Sequence, residues 1–180
     1  MQRSDSYSLA TVFQGWDSYQ LSLVHAIAPL RPENLAWRPA PSLRSVGQTA
    51  GHISLGRVSW FRRMDAPGSA ELAASAEALR SVEAIEGSAT ALVEWLEASW
   101  RMVEATLTAW TVADLAQTYL QPYQGKTYAV TRQWTLWRIL AHDLHHGGEI
   151  AVALGMQGIP VPELGDLGGH LTEPEEVPAG

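Results

Sequence analysis

Two histidines four residues apart, His142 and His146, are the pair in this chain best spaced to do chemistry together. They stand in the run Ala141-His142-Asp143-Leu144-His145-His146-Gly147-Gly148-Glu149-Ile150, inside a longer apolar stretch from Trp134 to Leu154 that reads as a helix. Positions four apart on a helix lie one above the other on a single face. Both imidazoles therefore point the same way, as a divalent metal requires of two ligands on one helix. In the His-x-x-x-His element of zinc proteases a Glu follows the first His; here Asp143 does, so the spacing suggests a metal but not a protease. On a wheel of about 100° per residue, His142, His146 and Glu149 fall in one narrow sector, with Ala153 continuing the line. His145 falls to one side of it. Asp143 lies about 100° off the line and is expected at the surface or against another helix.

A third ligand is available. Ser45-Val46-Gly47-Gln48 fits a capping box, so a helix should start at Val46 and run to about Met64. His52 lies on that helix and shares a face with Gln48, Leu55, Gly56 and Ser59, and the small Gly56 and Ser59 leave room beside its imidazole. Cysteine is absent, so a metal must be held by nitrogen and oxygen; zinc and nickel both suit imidazole. Three neutral imidazoles leave a tetrahedral ion one open position, the pattern of a catalytic zinc. The plainer alternative is a pair of polar residues satisfied by hydrogen bonds on an amphipathic helix. Gly147-Gly148 is unusual, since each glycine costs a helix about 1 kcal/mol relative to alanine. The expectation is that the missing side chains let another helix or a ligand come close.

The elements that must position these groups follow from periodicity. Phe13, Trp16, Leu23, Ile27 and Leu30 give one apolar stripe to a first helix over Tyr7–Ala28, stopped by Pro29 and Pro32. Residues 29–44 form a proline-rich connector with Trp37 tucked toward the core. After the His52 helix, residues 65–87 show little periodicity beyond a short helix over Ala70–Arg80. Ser88 or Thr90 caps a third long helix to about Ala109, with Leu92, Leu96, Val103, Leu107 and Trp110 as its core stripe. Thr111-Val112-Ala113-Asp114 caps one further turn. Tyr119, Tyr123, Tyr128 and Val130 around Gln124-Gly125-Lys126 predict a small hairpin or extended pair. The fourth long helix starts near Thr131 and ends at Gly155. The result is an all-α, antiparallel four-helix bundle with a hairpin insert before its last long helix. Residues 1–162 form one domain, and residues 163–180 an extended tail rich in proline, glycine and Glu. Trp137, Leu140 and Leu144 project opposite the histidines and suggest a homodimer surface. The Trp-rich interior, with Trp16, Trp60 and Trp100 among its candidates, is expected to be packing.

Composition sets limits. The 180 residues are 46% hydrophobic and 17% charged, as in a folded domain. A net charge of -7, with Lys126 the single lysine and the arginines scattered, argues against nucleic acid or an anionic membrane as partner. No apolar run approaches a membrane span and the first ten residues carry no signal-like apolar core, so a soluble cytoplasmic protein is expected.

The chain resembles a known family in several ordered pieces. These are Leu35-Ala36-Trp37-Arg38-Pro39, Ser45-Val46-Gly47, Gly51-His52-Ile53 with Trp60, and His142-Asp143-Leu144-His145-His146-Gly147-Gly148-Glu149-Ile150. Together they resemble the DinB-like (damage-inducible) superfamily of metalloenzymes, which includes YfiT-like proteins and thiol-dependent S-transferases. The resemblance implies a four-helix bundle, often dimeric, whose metal is held by one His of the second helix and two of the fourth. Those ligands fall on His52, His142 and His146. The family commonly has Arg-Gly-Gln after the paired histidines, where this chain has Gly147-Gly148-Glu149, so a positive charge is missing and a negative one added. The resemblance implies a metal-dependent enzyme that activates a low-molecular-weight thiol for transfer to a small-molecule substrate, with metal-assisted hydrolysis beside it. Glu149 is the candidate catalytic group, as proton acceptor or as the partner that orients a ligand. The rival is a non-catalytic metal-binding or dimerisation bundle with a vestigial site. A DNA-repair role finds no support in an acidic chain without a basic face.

Overall fold

The structure, a computed structural model, describes residues 8–76, 81–161 and 164. Four long helices dominate it: α2 (Trp16–Ile27), α4 (Val46–Arg63), α7 (Ala89–Ala109) and α8 (Arg132–Met156). Short helices precede or link them: α1 (Leu9–Val12), α3 (Pro32–Ala36), α5 (Ser69–Ser75) and α6 (Val82–Gly87). A 3-10 turn over Val112–Ala116 leads into the hairpin of β1 (Thr118–Tyr123) and β2 (Lys126–Thr131). Among the described residues no helix is long and apolar enough to cross a membrane. The expected extended tail lies outside the described residues except for Leu164, as do Tyr7, residues 77–80 and His170.

Local signals account for most element ends. The Ser45 side chain accepts from the Gln48 amide while Gln48 accepts from the Ser45 amide, closing the capping box at the start of α4. Ser88 caps α7 and Thr131 caps α8 by the same kind of bond. Gln124 (φ 47°) and Gly125 (φ 74°) both take left-handed backbone, the requirement of a two-residue hairpin turn. In the connector, Arg38 donates to Gln48 and pairs with Glu86 at 2.8 Å, tying the Trp37-Arg38 segment to the start of α4.

Three boundaries differ from the periodic reading. The first helix is broken, because Gly15 at φ 98° separates α1 from α2. The described residues of the 65–87 segment hold two short helices, α5 and α6, rather than one. α8 continues past Gly155 to Met156, and the left-handed residue that ends it is Gly158 at φ 73°. There the Ile159 amide bonds Leu154 O and the Gly158 amide bonds Gly155 O, satisfying carbonyls the helix end would leave open.

The long helices form a ring in the order α2, α7, α4, α8. α4 and α8 run antiparallel, since His52 faces His146 and Trp60 faces Trp134. α4 and α7 run the same way: Gly51 lies over Leu92, and Arg57 reaches Leu96 and Ser99. α2 and α8 also share a direction, with Trp16 at Asp143 and Tyr19 at Gly147. The bundle is therefore up-down-down-up and not antiparallel at every seam. Two parallel neighbours need a connection that crosses the length of the bundle. The segment carrying α5 and α6 is that crossover, which explains its length and its weak periodicity.

The core has two apolar clusters along the bundle, one with Leu23, Ile27, Ile53 and Leu96 and one with Phe61, Val103, Leu136 and Ile139, all almost fully buried. The α7 stripe Leu92, Leu96, Val103, Leu107 and Trp110 is buried as expected. Among the described residues a buried polar network of Trp16, Gln20, Arg57 and Asp143 lies at the level of the histidines.

Candidate metal centre

His52 projects from the middle of α4, and His142 and His146 from successive turns of α8. Their ligand nitrogens lie within 4.8 Å of one another. His52 Nε2 and His142 Nε2 are 3.1 Å apart, and the three rings meet at centroid distances of 4.8, 4.7 and 4.4 Å. Zinc–nitrogen bonds of about 2.0–2.1 Å place tetrahedral ligand nitrogens roughly 3.4 Å apart, so this triad fits such an ion with small side-chain adjustments. His142 and His52 are half-buried and His146 is 8% exposed, at the edge of the core and not at its centre.

The other ring nitrogens of His146 and His142 each face a carboxylate. His146 Nδ1 is 2.7 Å from Glu149 Oε2, and His142 Nδ1 faces Asp143 Oδ1 at 3.6 Å. A proton on each Nδ1 leaves Nε2 as the free lone pair in both rings, the tautomer an imidazole ligand needs. Burial pushes His52 down to about 4, with Arg44, His142 and His146 adding to it. Burial likewise lowers His146, against the opposing pull of its Glu149 hydrogen bond. Both rings are thus neutral at pH 7, ready to donate lone pairs.

Glu149 sits at the rim, its side chain 47% exposed, with Oε1 3.2 Å from the exposed His145 Nε2. Burial raises its carboxyl, but the His146 hydrogen bond and the neighbouring charges of His146, His145 and Arg44 outweigh this and hold it below the ordinary value. It stays ionised at neutral pH. His145, His146 and Glu149 also form a more exposed donor group; because Glu149 occupies His146 Nδ1, that group and the triad use opposite sides of one ring.

Of the two places expected for Asp143, the surface or a contact with another helix, it takes the second, fully buried against α2 and α4. Its Oδ2 accepts the Trp16 indole N–H at 2.9 Å and Arg57 Nε at 2.8 Å, and lies 2.7 Å from Arg57 Nη2. Arg57, also fully buried, donates to Gln20 Oε1 at 2.6 Å. Arg57 was not singled out by sequence, because nothing local marks it; the signal would have been an arginine on the apolar face of α4. α8 also has a third face that the wheel reading missed, with Leu136, Ile139, Asp143, Ile150 and Leu154 turned to the core.

The glycines fulfil the close-approach expectation unequally. A side chain on Gly147 would overlap the Tyr19 hydroxyl, which donates to the Asp143 and Leu144 carbonyls, so this glycine admits a helix. Gly148 faces open space. The room left by Gly56 is filled by the His142 imidazole, against which a Cβ would sit 2.7 Å from Cε1. Trp16 is core, as expected, but Trp60 is half-buried and lines a cleft.

The sequence model of the DinB superfamily matches residues 20–150, which include all three histidines. The fold is similar to the crystal structure of a DinB-like protein from Bacillus cereus ATCC 10987, with a TM-score of 0.64 at 19% identity, covering 87% of this chain and 97% of that one. No curated protein matches the chain. The chain belongs to the DinB superfamily.

Proposed function

We propose that the protein is a metal-dependent enzyme in which His52, His142 and His146 hold one zinc or nickel ion, and that it transfers a low-molecular-weight thiol to a small-molecule electrophile. The observation that carries this reading is the convergence of three imidazoles, two of them neutral through burial, with their ligand nitrogens within 4.8 Å. A divalent ion so held supplies Lewis acidity, which makes a thiol or a water a nucleophile near neutral pH. Around it the protein's own groups do the positioning. Glu149 fixes His146 from the rim, and Asp143 faces the His142 ring from within the core at 3.6 Å, one small ring rotation from a hydrogen bond. A carboxylate held below its ordinary pKa is a weak base. Glu149 therefore orients His146 rather than serving as the base that takes the thiol proton. Hydrolysis would use the same groups with water in place of the thiol.

The outer face of α8 supports a homodimer: Trp137 and Val152 are 65% and 64% exposed, and Leu144 lies between them.

The test begins with metal content of protein purified without an affinity tag, beside a His142→Ala/His146→Ala variant. Near one equivalent in the first and almost none in the second supports the site. Conjugation of a thiol to an electrophile, with and without metal, then separates transfer from hydrolysis. Absence of metal in both, even after incubation with zinc or nickel, would leave a binding or structural bundle.

A further inference from the structure

The metal centre is one end of a longer seam. On α4 the residues facing α8 are His52, Gly56, Trp60 and Arg63; on α8 they are Trp134, Arg138, His142 and His146, each four apart. Arg138 thus stands one turn before His142, about 6 Å along the helix axis. Arg63 lies over the Trp60 ring at 4.3 Å from its centroid. Arg138 lies 5.2 Å from Trp60 and 5.3 Å from Trp134, and these two indoles meet edge to face at 5.9 Å.

Neither arginine has a carboxylate within ion-pair distance among the described residues, whereas Arg31, Arg38, Arg57, Arg62, Arg101 and Arg132 each do. In a chain of net charge -7, two adjacent guanidiniums without an acid partner call for an anion from elsewhere. Both line a cleft of about 930 Å³ between the seam and the hairpin, whose far wall includes Tyr123 and Tyr128, 60% and 45% exposed. A second hollow of about 570 Å³ shares Trp60 and Arg63 with it and reaches His52 and Gly56. Trp60 and Arg63 thus border both hollows, one toward the hairpin and one toward His52.

We propose that this cleft binds a small organic oxyanion with a flat body, its head held by Arg63 and Arg138 and its body covered by the hairpin tyrosines. Guanidinium forks match the paired oxygens of a carboxylate or phosphate. Stacking on Trp60 and Trp134 pre-orders both side chains, so less freedom is lost when the anion arrives. The aromatic walls favour a planar ligand over an inorganic ion. That this ligand is the electrophilic substrate rests on the metal-site reading; that it binds does not.

The experiment uses the full chain stripped of metal, titrated calorimetrically with naphthalene-2-carboxylate, 2-naphthyl phosphate and the neutral naphthalene-2-carboxamide. At least one anion is expected to bind tenfold or more tighter than the amide, and the tighter of the two identifies the head group. An Arg63→Gln/Arg138→Gln variant with an unchanged melting temperature should bind that anion no better than the amide, while Arg101→Gln, an exposed arginine on α7 outside the cleft, should bind it as the parent does. Equal binding of anions and amide, survival of anion binding in the double variant, or its loss in Arg101→Gln would overturn the proposal. Metal content, measured separately, reports on the metal centre whichever way this result falls.

Discussion

His142 Nδ1 and Asp143 Oδ1 are buried atoms without a hydrogen-bond partner, and they face each other at 3.6 Å. Every contact that Asp143 makes with Trp16 and Arg57 uses the other oxygen, Oδ2. One carboxylate therefore serves two ends: Oδ2 neutralises the buried guanidinium of Arg57, and Oδ1 is kept for the ring of a metal ligand. A small rotation of His142 closes that hydrogen bond.

Asp143→Asn separates these roles from ordinary packing. It leaves Arg57 as a charge without a counter-ion in the core, which costs about 3–5 kcal/mol when a buried pair is broken. It also weakens the hold on His142, for which losses of about 10–100-fold in metal affinity are typical. Denaturant unfolding measures the first effect. Competition with a metal-binding dye on the folded fraction measures the second, and unchanged affinity there would separate Asp143 from the site.

Gly56 and Gly148 give opposite expectations for the same substitution. Alanine favours a helix over glycine by about 1 kcal/mol at both positions. At Gly148 nothing within the chain obstructs the new methyl, so Gly148→Ala should stabilise the monomer by about that amount and leave metal binding alone. At Gly56 the methyl meets the His142 ring, which must swing away from His52. Gly56→Ala is expected to lower metal affinity at least about tenfold, with little change in the melting of the metal-free protein.

What could be read from sequence was local or periodic. The Ser45–Gln48 box, the Gln124-Gly125 turn and the i, i+4 histidines are each set within a few residues, and each is realised. His52 is 90 residues from His142, but its helix was legible and so was the one it had to face. The Arg57–Asp143 pair spans 86 residues and obeys no periodicity, since a charged residue on an apolar face looks like a packing error until its partner is known. The direction of α7 relative to α4 was hidden for a related reason. It depends on where the segment holding α5 and α6 travels, and weak amphipathicity does not encode a path. Gly15 and Gly155 are the same residue type in helical stretches with opposite outcomes. Gly15 adopts a left-handed φ and breaks its helix, whereas Gly155 stays helical because Gly158 takes the left-handed role.

The buried imidazoles make the metal-free protein sensitive to acid. An unfolded histidine takes up a proton near pH 6.5, whereas His52 in the fold resists until about 4 and His146 is also lowered. Below pH 6.5 the unfolded chain therefore binds more protons at these rings than the native one, and stability falls as pH drops through that window. Above it the two states bind alike and the contribution vanishes. In EDTA, the melting temperature should decline from pH 6.5 toward 4, more steeply for the parent than for His52→Ala. Parallel curves would show that His52 does not titrate as its burial requires.

The outer face of α8 supplies the last test. Trp137, Ala141, Leu144, Gly148 and Val152 recur at spacings of three and four, forming a stripe roughly 22 Å long at 1.5 Å per residue. Trp137, Leu144 and Val152 leave it 65%, 43% and 64% exposed, although the same helix buries Leu136, Ile139 and Ile150 on its inner side. Alternating large and small residues at this spacing suit a second helix packed close against them. A copy of the same chain related by a two-fold axis would cover the stripe with its own. Sedimentation velocity at micromolar concentration should show a dimer. Trp137→Glu/Val152→Glu places charges in that interface and should give a monomer with unaltered metal content, because both residues point away from the histidine triad. A parent that sediments as a monomer would leave the stripe without a partner of its own kind.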